Sequence, residues 1–118
     1  LKQGGGRIVN VASATSRNTY PYASPYVTSK FAVAGLTRTV AVEYANRDIR
    51  INAICPGNVA TPLVVSLVED LSVLATKHAI NRLGTPQEVA NGVMYLASDL
   101  SSFSTGSLLE VDGGWNAI

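Results

Sequence analysis

Cysteine occurs once in these 118 residues, as Cys55, and histidine once, as His78. A single cysteine excludes an intrachain disulfide framework and a multi-cysteine zinc site, and a reducing, cytoplasmic setting is the simplest reading. An excess of charge is also missing. Nine Lys and Arg stand against eight Asp and Glu, a net charge of +1 with no basic block, so no nucleic-acid partner is expected. No uninterrupted apolar run approaches the roughly 20 residues that cross a bilayer, which excludes a transmembrane helix and argues against a membrane partner. The chain has no initiator Met and no charged-then-apolar leader. Leu1-Lys2-Gln3 runs straight into Gly4-Gly5-Gly6, which reads like the last turn of a helix and its glycine stop, so the sequence looks cut from something longer.

What is present is apolar and regularly punctuated. With 47% hydrophobic and 14% charged residues, the chain has the makings of strands and helices that bury more than one face. Arg7-Ile8-Val9-Asn10-Val11-Ala12 is a short β-branched run bounded by glycines and by Ser and Thr, and it predicts a buried strand. Residues 13–25 form a polar loop that ends in Ser24-Pro25, a helix start with Ser as cap and Pro at the first helical position. From Tyr26 to about Ala45, apolar residues around much of the circumference predict a long helix buried on more than one side. Asn46-Arg47-Asp48 breaks it, and residues 49–54 alternate as a strand ending at Cys55-Pro56-Gly57.

Thr61-Pro62 opens a less regular helical stretch to about Lys77. Thr85-Pro86-Gln87-Glu88 combines a Thr cap, a first-position Pro and an acidic first turn, which predicts a helix to about Ser98. Residues 107–111 form a last strand, closed by Asp112-Gly113-Gly114. Strands alternating with helical crossovers of this length imply parallel pairing. The expected fold is α/β, a doubly wound, Rossmann-like parallel sheet represented by its C-terminal portion, in one domain over residues 1–118.

Tyr26 and Lys30 stand four apart on the long helix, which puts them on one face within reach of each other. An ammonium beside a phenol favours the phenolate and makes Tyr26 a candidate general acid/base, although the same spacing also describes an ordinary surface pair. Ser13 lies at the C-terminal end of the first strand, where α/β sheets place their ligands.

Taken together, Ser13, Tyr26-Val27-Thr28-Ser29-Lys30, Asn52-Ala53-Ile54-Cys55-Pro56-Gly57-Asn58-Val59-Ala60-Thr61, Thr105-Gly106-Ser107 and Val111-Asp112-Gly113-Gly114 closely resemble the classical short-chain dehydrogenases/reductases. The resemblance runs over essentially the whole chain, in order and spacing, and covers about half the length that the family implies. It implies an NAD(P)(H)-dependent oxidoreductase that interconverts a carbonyl and a secondary alcohol. Tyr26 matches the tyrosine that exchanges the proton with the substrate oxygen. Lys30 matches the lysine that supports it and holds the nicotinamide ribose, and Ser13 matches the serine that polarises the carbonyl. Pro56, Gly57, Val59 and Thr61 fall on the Pro-Gly-x-Val-x-Thr segment that holds the carboxamide of NAD or NADP.

Residues 61–83 would be the substrate lid, and Leu63, Val64, Val65, Leu67, Val68, Leu71 and Leu74 would either cover an apolar substrate or simply pack the lid helices. A small-molecule substrate and a homodimer or homotetramer are implied. No metal is required. The alternative is a non-catalytic oligomerisation or binding module that keeps the fold.

The departures from the family pattern are Ala12 before the serine and Ser16 where the family usually has Gly. The glycine-rich dinucleotide fingerprint, its following charge selector and the family's catalytic Asn are missing; Asn10 and Asn52 sit in strands and do not replace that Asn. His78 reads as an ordinary exposed or loop residue, Cys55 as a small buried filler, and Glu69, Asp70 and Arg38 as solvated charge. Asp112 reads as the cap of the Gly113-Gly114 turn. Tyr20 and Tyr22 either line a substrate pocket or pack the loop. Gly35 costs its helix about 1 kcal/mol relative to Ala, which the close approach of another backbone would justify.

Overall fold

Parallel pairing on a central, buried strand sets the architecture. A computed structural model describes residue 2 and residues 4–118. The helix end expected at Leu1-Lys2-Gln3 involves residues 1 and 3, which lie outside the described residues. In chain order the elements are β1 (Gly6–Val11), α1 (Ser24–Tyr44), β2 (Ile49–Pro56), α2 (Pro62–Leu67), α3 (Leu71–Ala75), α4 (Pro86–Ala97) and β3 (Leu108–Val111). Among the described residues the sheet has three strands in the order β1-β2-β3, both pairs parallel.

β2 is central because its sequence can be buried on both faces, and seven of its eight residues are. Its odd positions face α1: Ala53 and Cys55 pack with Ala34, while Ile49 and Ile51 pack with Ala41. Its even positions face α4, where Gly92 stands over Ile54, Leu109 and Val111. A Cβ at Gly92 would lie 2.5 Å from Ile54 Cδ1, so the missing side chain is what lets α4 sit down on the sheet. Ile54 is fully buried there, and its truncation to Ala would cost about 2–5 kcal/mol. The two connections step the same way across the sheet yet carry their helices on opposite faces. They therefore have opposite hands, and one departs from the right-handed rule for such crossovers.

Two polar residues of β2 knit that strand to the chain before β3. Arg50, only 7% exposed, donates to the Ser98 and Ser104 carbonyls and to Ser101 Oγ at 2.9, 3.1 and 2.9 Å. Asn52 donates to the Ser104 carbonyl at 2.9 Å and accepts from Ser107 N at 3.0 Å. Asn10 likewise binds Thr37 Oγ1 at 2.9 Å. Both Asn residues are thus engaged within the fold.

The helix starts differ in how well they match expectation. Thr85 and Glu88 make a reciprocal capping box at α4, Thr85 Oγ1 accepting from Glu88 N and Glu88 Oε2 from Thr85 N. At α1 the cap position is Ala23, and Ser24 already lies in the helix, with no side-chain cap bond. The stretch after Thr61 is two short helices broken at residues 68–70, each with its own polar cap, Thr61 and Asp70. A Cβ at Gly35 would meet nothing within 4 Å, so among the described residues no backbone from outside its own helix turn approaches that glycine.

Candidate active site

The ends of β1 and β2 and the start of α1 converge on one cleft of about 230 Å³. It is lined among others by Ser13, Thr15, Tyr20, Tyr26, Gly57 and Trp115. Ser13 comes first. After β1 the backbone turns through one 3₁₀ turn at Ala14–Ser16, with Ser13 as its cap and itself buried. Ser13 Oγ accepts the Thr15 N–H at 3.1 Å and the Thr15 hydroxyl at 3.0 Å. A serine oxygen has two acceptor positions and one proton. Both acceptor positions are taken, so the proton is left for an acceptor arriving in the cleft.

Tyr26 sits in the first turn of α1, half exposed to the same cleft. Lys30 follows one turn later, its Nζ 5.6 Å from the centre of the Tyr26 ring and donating to the Val11 carbonyl at 3.0 Å. The two side chains are neighbours, as the i, i+4 spacing requires. Ser16 joins the two halves of this arrangement, accepting the Ser13 N–H at 3.2 Å and donating to the Lys30 carbonyl at 3.0 Å. The residue that departs from the family pattern thus makes two bonds, one of them buried.

The segment Pro56–Thr61 is split between roles. Pro56 ends β2, and Gly57 lines the cleft. A Cβ on Gly57 would come within 2.5 Å of His78 Cε1 and 3.0 Å of Asp112 Cα, so this position must be Gly for space alone. Val59 forms a parallel bridge with Gly84, and Thr61 Oγ1 caps α2 by accepting from Val64 N at 3.3 Å. Pro56, Val59, Thr61 and Lys30 do not line the 230 Å³ cleft, and neither do the apolar residues expected in the lid. Leu63, Val65 and Leu67 are exposed.

His78 corrects the sequence reading most sharply. It is 3% exposed, with its Nδ1 against the Asp112 carbonyl and its Nε2 against Asn58 N at 3.3 Å. A carbonyl only accepts and a backbone N–H only donates, so the tautomer with the proton on Nδ1 satisfies both. Its ring also meets Trp115 edge to face at 5.5 Å. Cys55 is fully buried, and that burial pushes its thiol up, as befits a filler rather than a nucleophile. Asp112 caps the turn as expected, accepting from Gly114 N and Asn116 N at 2.9 and 3.0 Å.

Sequence reasoning missed Thr15 and Trp115. Thr15 carries a local signal, since a hydroxyl two residues past a cap serine can reach it. Trp115 carries none, because its neighbours Tyr20 and His78 are distant in sequence.

A family model described as Enoyl-(Acyl carrier protein) reductase matches residues 1–116. The cis-4-hydroxycyclohexanecarboxylate dehydrogenase of Sinomonas cyclohexanicum is 45% identical over 116 residues, 98% of this chain and 47% of that protein. The cyclohexanol dehydrogenase of Acinetobacter sp. (strain SE19) is 44% identical over 117 residues, 99% of this chain and 46% of that protein. Among solved structures, ElxO with NADP bound superimposes with a TM-score of 0.94 at 36% identity, covering 99% of this chain and 49% of that one. The chain spans about half the length of the curated relatives it matches.

Proposed function

The chain belongs to the short-chain dehydrogenase/reductase family, and from that premise we propose that the protein interconverts a carbonyl and a secondary alcohol, with NAD or NADP as hydride carrier and with Ser13, Tyr26 and Lys30 as its catalytic residues. One observation carries this reading: Ser13 and Tyr26 share a single cleft, with the Lys30 ammonium beside the phenol.

The donor set suits the nicotinamide half of a dinucleotide. Lys30 makes one hydrogen bond among the described residues, leaving two of its three N–H groups for ribose hydroxyls. Tyr26 would share that ribose contact, and Pro56, Gly57, Val59 and Thr61 would hold the carboxamide end. A glycine-rich turn between a strand and a helix, which would cradle the pyrophosphate, does not occur in residues 1–118. When bound, the cofactor supplies or accepts the hydride.

The side chains manage the proton and the developing charge. In reduction, the carbonyl oxygen accepts from the Ser13 hydroxyl and from Tyr26, and Tyr26 gives up its proton as the carbon gains hydride. Lys30 then faces the negative charge left on the phenol oxygen. Carbonyl, reduced cofactor and one proton become alcohol and oxidised cofactor, and oxidation runs the same steps in reverse. Substrates within this reading are a 3-oxoacyl thioester, a sugar, a polyol or a small cyclic alcohol, and the names of two relatives put a six-membered ring first to try. Residues 61–83 are the lid in this reading. The exposed Phe31, Leu36 and Val42 along α1 support a homodimer or homotetramer, and the single thiol supports a cytoplasmic setting.

Stopped-flow nicotinamide absorbance on the full-length protein, with a panel of ketones, tests the assignment. General acid catalysis contributes about 10²–10⁴-fold, so Tyr26→Phe is expected to lower kcat/KM by that order. Equal rates in the two proteins would sink it.

A further inference from the structure

The cleft has one wall that this chemistry does not use. Tyr20 and Trp115 meet edge to face with ring centroids 6.1 Å apart. Trp115 is backed by the buried His78 ring at 5.5 Å; its own N–H donates to the Asp112 carbonyl at 3.2 Å, and the Asp112 carboxylate holds the flanking Gly114 N and Asn116 N. Asn116 then donates to the Ala14 carbonyl at 3.0 Å, which fastens this corner to the turn that presents Ser13. The indole is therefore clamped, and its position relative to Ser13 is set.

Two clefts share these two rings. On one side lies the 230 Å³ cleft of Ser13 and Tyr26, lined by no charged side chain. On the other lies a cleft of about 290 Å³ that contains Tyr22 and Lys77. The first is smaller than the roughly 300–1,000 Å³ of sites that take drug-sized ligands, which favours a small group against this wall. An ionised group against the Tyr20–Trp115 wall would find no opposite charge among the side chains that line the cleft, whereas an apolar ring would gain the aromatic edges.

Resting on the reading of Ser13, Tyr26 and Lys30 given above, we propose that Tyr20 and Trp115 form a partition that determines specificity. The partition confines the substrate to a small uncharged ketone or alcohol carried on an apolar ring, and it keeps anionic extensions from reaching Lys77. These residues touch the ring of the substrate rather than its reacting atoms, so they act on discrimination.

The test compares kcat/KM for cyclohexanone and 4-oxocyclohexanecarboxylate in the full-length enzyme. The unmodified protein is expected to favour cyclohexanone. Trp115→Ala joins the two clefts and is expected to shift the ratio toward the carboxylate by about tenfold, in line with what one hydrophobic wall contributes to discrimination. Trp115→Phe keeps an aromatic wall and is expected to keep most of the preference. Tyr20→Ala opens the same partition from the other side, so a failure of Trp115→Ala to fold still leaves a readout.

A preference for the carboxylate in the unmodified protein, or turnover of neither ring, overturns the proposal. So does a ratio unmoved in both alanine variants. Tyr26→Phe separates the two levels. If Tyr26→Phe loses turnover while the ratio does not move in Trp115→Ala and Tyr20→Ala, only the partition fails; if Tyr26→Phe keeps full turnover, the reading of the catalytic residues is what fails.

Discussion

Ser16 Oγ bridges the backbone N–H of Ser13 and the backbone carbonyl of Lys30, at 3.2 and 3.0 Å, so one buried hydroxyl ties the turn after β1 to the helix that carries Tyr26. Removing it leaves a buried N–H without that partner, which costs about 1–3 kcal/mol. Ser16→Ala is expected to lower the free energy of unfolding by that amount, read as a lower urea midpoint, and to reduce kcat/KM in the full-length protein. An unchanged midpoint would mean that the turn is held by its other contacts alone.

Thr15 controls where the Ser13 proton points. Its hydroxyl and its N–H fill the two acceptor positions of Ser13 Oγ. Thr15→Val keeps the shape and the N–H but removes one donor, freeing the Ser13 hydroxyl to rotate. A drop in kcat of about tenfold is expected, equivalent to about 1.4 kcal/mol, with KM little changed. A KM effect without a kcat effect would assign Thr15 to packing.

Glu88 links the capping box of α4 to Arg82, which holds it at 2.6 and 3.0 Å. The Arg82 hydrogen bonds, followed by that of the Thr85 N–H, lower the Glu88 carboxyl from 4.5 to about 2. A group with a lowered folded pKa binds its proton more readily in the unfolded chain, so its stabilisation is present above the unfolded value and is lost as pH falls from there through the folded one. Denaturation midpoints are therefore expected to fall between pH 4.5 and about 2, and Glu88→Gln should flatten that part of the profile. An identical acid limb in the variant would show that other carboxylates carry it; Asp70, lowered by its bonds to Ser72, acts in the same direction.

Two glycines should respond oppositely to the same substitution. Gly35→Ala adds a Cβ that meets nothing within 4 Å among the described residues and is expected to stabilise by about 0.5–1 kcal/mol through helix propensity, read as a raised Tm. Gly57→Ala drives a Cβ into His78 and the Asp112 backbone and is expected to cost about 1–3 kcal/mol. A destabilised Gly35→Ala would indicate that a second subunit packs on that face, as the expected oligomer would have it.

Local chemistry explains which features were legible beforehand. The α4 cap could be read from Thr85-Pro86-Gln87-Glu88 because all its partners lie within four residues. The Asp112 turn was legible for the same reason, and so was the placing of Tyr26 beside Lys30, which helical periodicity enforces. The start of α1 lies one residue before the expected cap, because Pro is tolerated at the second helical position as well as the first, which places Ala23 rather than Ser24 at the cap.

The amino-acid sequence by itself determined the order of strands and helices, their parallel pairing and the candidates Ser13, Tyr26 and Lys30, since periodicity, caps and motif spacing act along the chain. Only the tertiary structure decided the burial of His78, the clamp on Trp115 and the bridge from Ser16 to Lys30. Beyond the local Asp112 turn and the Ser13–Ser16 bond, their partners lie 14 to 102 residues away, as with Asn116 and Ala14. Contacts of that kind exist only once the sheet has brought the ends of its strands together, and no local pattern of residues encodes them.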